Sequence, residues 1–280
     1  MTARGCLNCP LHFQPMHTMN ATLRPAPRDL GLLMPYDRTE HRQSARLVPH
    51  ETIASLNDAA FQWRDAAGLS RSRAMSLRLR RTEVFNVRGL GVDGTRAFMS
   101  LLCGRLPPCA GQYLLLGQDL SLLGAAERRR LLLREVGISL RPDGLFSHLA
   151  VIDNIALPLL VNGVAHGAAL ERAGIEITSL GLERHAALLP HMLGTAEIRL
   201  ARLGQALVHR PSLVVVEGPD LELDVQTVAR IRKRLLRYCE EDHGCAVIST
   251  EHRDLLSLVS ATLWLKESLQ PSMNNDGART

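Results

Sequence analysis

A chain of 280 residues with 46% hydrophobic side chains can bury one sizeable core, and nothing in its composition is collagen-like or of low complexity. No apolar run approaches the roughly 20 residues of a membrane-spanning helix. The start, MTARGCLNCPLHFQPMH, lacks the apolar stretch of a secretion signal, so a cytosolic chain is expected. The formal net charge of +5 is diffuse and carried almost wholly by arginine, because lysine occurs only at Lys233 and Lys266; with aromatics at 4% there is no basic, aromatic-interleaved stripe, which excludes nucleic acid as the expected partner.

The six cysteines fall in loose pairs, and without an export signal they are expected as free thiols. Cys6, Cys9, His12 and His17 have the ligand types of a zinc site, but their two halves stand far closer than in finger modules, so no metal site is expected. Residues 1–48 show no periodicity and read as a disordered extension, with Met16, Met19 and Met34 leaving a later natural start open. A domain over 49–268 follows, and 269–280 read as a disordered tail.

Within the domain, IASLNDAAFQW reads as a strand with its edge, and SLRLRRTEVFNV alternates apolar and charged residues. GLGVDGTR leads into a helical run, AFMSLLCGRL. PPCAGQYLLLGQDL reads as a turn, a short strand and a second turn. AAERRRLLLREV predicts a basic helix, and LAVIDNIALPLL predicts a helix that ends at Pro158. Mostly helical sequence continues through AEIRLARLGQALVHRPS. The valine run LVVVEGP reads as a strand buried on both faces, TVARIRKRLLRYCEEDHG as an amphipathic helix, and CAVISTEH as a second buried strand. Strand, helix and strand with short links predict a right-handed crossover in a parallel sheet.

Residues 89–96, GLGVDGTR, have the G-x-x-x-x-G frame of a phosphate-binding loop, set by Gly89 and Gly94 with Gly91 between them. Such a loop continues with Lys, which reaches the β/γ-phosphates, and then Ser or Thr, whose hydroxyl holds Mg²⁺. Here the continuation is Thr95, Arg96 and Ala97, and no lysine precedes Lys233.

In order and spacing, these landmarks resemble the nucleotide-binding subunit of an ATP-binding-cassette (ABC) transporter over roughly residues 50–266. The resemblance implies an α/β, P-loop NTPase-like cassette with a parallel core sheet, an antiparallel β subdomain and a helical subdomain at about 142–200. It implies an aromatic that stacks on adenine, here Trp63, which the residue pattern equally reads as a half-buried strand aromatic. Arg96 is the candidate phosphate partner, yet it stands where the Mg²⁺ hydroxyl is needed, and a cation there repels the metal.

In GISLRPDGLFSHLAVIDNIALPL, the part most similar to the family, Arg141 takes the place of the loop glutamine. The family signature L-S-G-G-Q is replaced by Leu193, Gly194, Thr195, Ala196 and Glu197, the last bringing a negative charge beside an anion site. In LVVVEGP, Glu217 stands for the magnesium-side Asp and Gly218 for the catalytic Glu, which leaves the general-base role vacant. Glu251 fills the place of the switch His, with His252 one residue along; bringing His252 into the site requires a bulge.

The resemblance therefore implies a fold kept with no intact catalytic residue, ATP binding left open and Mg²⁺ disfavoured. It implies a structural or regulatory partner of an integral-membrane permease, peripheral on the inner membrane face, paired as a homodimer or with another cassette subunit. Among such cassettes the chain is most similar to those of lipid-trafficking (Mce-associated) importers. Two alternatives stay open: an active ATPase in which Arg96 and His252 substitute for missing groups, and a soluble regulator built on the same fold.

Overall fold

A computed structural model describes residues 51–66, 68–141 and 144–268. The expectations for 1–48 and 269–280, including the cysteine and histidine group near the start, lie outside the described residues.

Two sheets carry the architecture. The first is antiparallel, in the order β4 (Met75–Arg80), β1 (Thr52–Ala60), β6 (Ala110–Leu115), β7 (Gln118–Asp119). Register shifts between Leu56 and Ala59 on β1 mark an irregularity where the strand bends. The single strand read over IASLNDAAFQW is broken at Phe61, beyond which β2 (Gln62–Asp65) pairs with β3 (Gly68–Arg71) as a separate ribbon. Phe61 N donates to Ser72 Oγ instead of to a ladder partner.

The second sheet is parallel throughout, in the order β11 (Ala261–Trp264), β5 (Val84–Arg88), β10 (Cys245–Ser249), β9 (Leu213–Glu217), β8 (Val136–Ser139). Its strands alternate between two cores. Val84, Val214, Val216, Ala246 and Ile248 face one cluster, while Phe85, Val87, Leu213, Val215 and Val247 face the other. This period-two division is why β9 is buried at every position and reads as continuous valine.

Helices cover both faces. On the β1 side lie α1 (Gly91–Leu102) and α2 (Ala125–Glu135); on the other lie α3 (Val151–Val161), α4 (His166–Leu180), α5 (Thr195–Leu207) and α6 (Val225–Glu240), with a short α7 (Arg253–Leu256) after β10. Among the described residues no helix is long and apolar enough to cross a membrane.

Contrary to the sequence expectation, α3 does not stop at Pro158 but continues to Val161. Proline has no N–H to give the carbonyl four residues back, and that loss normally ends or kinks a helix. Here the orphaned acceptor is Asn154 O, and Gln205 Nε2 on α5 donates to it at 2.9 Å. The Asn154 side chain is fully buried: its Oδ1 accepts from Phe146 N at 2.7 Å, and its Nδ2 donates to the carbonyls of Phe146, Leu149 and Ala150. Asn154 thus fixes the entry to α3 while Gln205 repairs its proline.

Replacing Asn154 by Ala leaves several of these buried groups without partners, so we expect Asn154→Ala to lower the unfolding free energy by about 2–3 kcal/mol in urea titration. An unchanged midpoint would contradict this assignment. The cysteines give a second check. Cys103, Cys239 and Cys245 are buried and Cys109 is exposed; burial pushes the Cys239 thiol up to about 12 and raises Cys245 as well. Because the thiolate is the nucleophile, native-state alkylation read by peptide mass spectrometry should label Cys109 and spare the other three until denaturation.

Candidate nucleotide site

The residues of GLGVDGTR do lie between strand and helix, at the end of β5, but the open loop is short. After Arg88 only Gly89 and Leu90 precede α1, whose first residue is Gly91. Gly89 and Gly91 both take positive φ, 115° and 63°. At Gly89 a side chain is also barred by space, since a Cβ would stand 2.3 Å from Leu265 O. Gly94 lies inside the first turns of the helix, and the phosphate cradle is reduced to a helix N-terminus with Asp93 in its first turn. An acid there competes with any anion for the positive end of the helix.

Trp63, on β2, is 8% exposed and packs against Phe61, with ring centroids 5.6 Å apart. Its Nε1 donates to Asp65 Oδ2 at 3.0 Å. A Cβ on Gly94 would stand 3.2 Å from the Trp63 ring, so the indole lies over α1 and holds this end of the helix in the core.

Arg96 and Glu217 meet. Glu217 ends β9 with its side chain 8% exposed, and Arg96 Nε donates to its Oε1 at 3.1 Å. The other carboxylate oxygen accepts the backbone N–H of Arg141 at 2.8 Å. Arg96 also lies 3.8 Å from Asp93 on its own helix. The structure therefore brings together three residues that the sequence placed far apart, and both oxygens of the buried carboxylate are engaged by protein donors.

A residue that the sequence did not point to joins them. Arg199, on α5, lines a small recess with Ser139, Val216 and Glu217. Burial, and then nearby Arg141, hold its guanidinium below the ordinary arginine value, while Glu222, Glu217 and Asp220 act in the opposite direction. No local motif marks it; only the packing of α5 on β9 reveals its place.

Gly218 has φ +53°, and its N–H donates to Ser249 Oγ at 3.0 Å. A Cβ there would stand 2.5 Å from Leu221 Cδ1. Any larger side chain must therefore accept left-handed backbone and displace Leu221. In the signature-like segment, Leu193 precedes Gly194, the N-cap of α5, and Thr195, Ala196 and Glu197 form its first turn. Glu197 Oε2 lies 2.7 Å from where a Cβ on Gly194 would be, so this carboxylate covers the helix N-terminus itself.

After β10 the chain is tied by Asn86, whose Oδ1 accepts Thr250 N and whose Nδ2 donates to Thr250 O. Glu251 projects outward, its side chain 89% exposed and 3.9 Å from Arg88. His252 caps α7, with Nδ1 accepting from Asp254 N at 3.3 Å. That role binds the imidazole to its own helix.

No protein-family model matches the chain. Among curated proteins it is 29% identical over 160 residues to the lipoprotein-releasing system ATP-binding protein LolD 2 of Caulobacter vibrioides, covering 57% of this chain and 70% of that protein. It is 28% identical over 187 residues to LolD 1 of Rhodopirellula baltica, covering 67% and 82% respectively. Among solved structures, the dimeric bacterial ABC transporter cassette MJ0796 superposes with a TM-score of 0.69 over 76% of this chain and 94% of that one, at 18% identity, a likeness that shows the fold alone.

The Arg96–Glu217 pair can be measured. We expect Arg96→Ala to destabilise by about 1.5–3 kcal/mol, because it removes a charged donor from a buried carboxylate. In a double-mutant cycle with Glu217→Gln the coupling should reach about 1 kcal/mol or more; additive effects would contradict the contact.

Proposed function

We propose that this chain, which belongs by fold and sequence to the ATP-binding subunits of ABC transporters, serves as a non-hydrolysing structural or regulatory subunit docked on a membrane permease. The observation that carries the reading is the ion pair between Arg96 and Glu217. A catalytic cassette needs Mg²⁺ beside that carboxylate to bridge phosphate oxygens and neutralise developing charge. Here a guanidinium holds the place. Guanidinium and amide N–H groups are donors only and cannot ligate a cation, so the groups around Glu217 do not suit Mg²⁺.

The other positions support the same reading. Thr95 offers no positive charge to a β/γ-phosphate, and Gly218 offers no base to polarise water. ATP without Mg²⁺ remains compatible with the helix N-terminus at Gly91, as a ligand rather than a substrate. The curated relatives named for lipoprotein release support a lipid-bearing cargo for the permease that this subunit would serve, at the cytoplasmic face of the membrane. Pairing of two cassettes, as in dimeric MJ0796, is the proposed assembly, with a second copy or another cassette as the partner.

Affinity purification from detergent-solubilised membranes tests the docking: a polytopic membrane protein should be recovered with the chain, and recovery only from the soluble fraction would contradict it. For the chemistry, we expect no phosphate release from Mg²⁺-ATP above the level of a chain deleted in residues 89–96. Gly218→Glu alone should not create activity, because φ at 218 is positive and Leu221 blocks the side chain. A Mg²⁺-dependent rate abolished by the deletion would overturn the proposal.

A further inference from the structure

A cavity of about 450 Å³ opens between α4, the turn after α3, the end of α5 and the last turns of α6. It shares no lining residue with the nucleotide site, and its volume falls within the roughly 300–1,000 Å³ of small-molecule sites. Its accessible apolar surface comes from Val164, half-buried, and Ile175, 67% exposed, with Leu159, Leu207 and Val208 enclosed beneath.

The charged residues of the lining separate into two sets. Arg234 makes a two-pronged contact with Glu176, at 2.7 and 3.0 Å, and lies 3.8 Å from Asp242, which also meets Arg210 at 3.3 Å. With side chains 9% exposed, Arg234 and Glu176 compensate one another as a buried pair that fixes α4 to α6. The second set is looser. Arg237 pairs with Glu241 through side chains 46% and 62% exposed, and such a pair contributes little, so an incoming anion can replace Glu241 at small cost. Arg172 makes no ion pair among the described residues and is exposed. Overall, five arginines line the cavity against four carboxylates.

We propose that this cavity binds a small amphiphile with one anionic head, a carboxylate or a phosphate monoester. The head lies between Arg172 and Arg237, and the apolar body rests on Val164 and Ile175. Guanidinium forks recognise either anion through paired N–H donors, and the apolar wall rejects a bare inorganic ion as a sufficient ligand. Because the lining spans α4 and α6, the occupant bridges the helices that the Glu176–Arg234 pair already joins.

Isothermal titration of the full chain tests this with octyl phosphate and with octanoate, each below its micelle concentration, against inorganic phosphate and octyl glucoside as the separate halves of the ligand. The expected result is one-site binding by at least one anionic amphiphile, about tenfold or more tighter than either half. The double variant Arg172→Glu and Arg237→Glu should lose about tenfold or more. Arg172→Ala, an exposed single change with no partner to strand, should weaken binding without altering thermal unfolding. Binding that is no tighter for the amphiphiles than for their halves, or that is unchanged in both variants, overturns the proposal. So does binding of the chain to phosphatidylglycerol vesicles with no titration by the soluble amphiphiles, which would place recognition on a surface and not in the cavity.

Discussion

A carboxylate buried at the end of a central strand must have its charge answered, and in this protein Arg96 answers it. Glu217 terminates β9 with its side chain almost wholly enclosed, and the guanidinium of Arg96 reaches it from α1 at 3.1 Å while the amide of Arg141 reaches it from beyond β8 at 2.8 Å. With the Glu217 side chain 8% and the Arg96 side chain 37% exposed, the pair is screened less than one on the open surface. The start of α1, the end of β9 and the exit from β8 are thereby held to one point. If the carboxylate faced a mobile metal instead, these three segments would depend on ligand occupancy; here they depend on the chain alone.

The same self-sufficiency recurs around that point. Glu197 covers the start of α5, the indole of Trp63 covers Gly94, Leu221 fills the space beside Gly218, and His252 serves as the cap of α7. Each group satisfies a protein neighbour at a place where the proposed family chemistry would otherwise present it to nucleotide or water. The loss of hydrolysis that we propose is, in this account, a redistribution of partners: the positions are occupied, and the occupants stabilise the apo fold.

Much of the fold was legible because it depends on period and local burial. A leucine and three valines ending in Glu217 read as a strand buried on both faces, as in a parallel sheet, and β9 is enclosed at every position. Helix α6 follows its apolar spacing, with Val228, Ile231 and Leu235 buried along one face. What could not be read was non-local. The order β4-β1-β6-β7 depends on pairings across tens of residues, and the break at Phe61 depends on Ser72. Pro158 is tolerated because Gln205, far along the chain, supplies the donor that proline lacks. At the site, the spacing of glycines located the strand-to-helix junction but not the early entry into helix at Gly91, and no pattern near Arg199 signals its approach to Glu217. Residue identity marked Arg96 as out of place for a metal ligand, while its partner became visible only in three dimensions.

The most direct test of this account is ATP affinity with and without Mg²⁺, measured by titration on the parent chain and on Arg96→Ser. If Arg96 holds the cation position at Glu217, Mg²⁺ leaves the affinity of the parent chain unchanged, whether that affinity is measurable or nil. Tightening of ATP binding by Mg²⁺ of about tenfold or more in the parent chain, or about 1.4 kcal/mol, would contradict it, because a metal would then be reaching a carboxylate that the ion pair should already have closed.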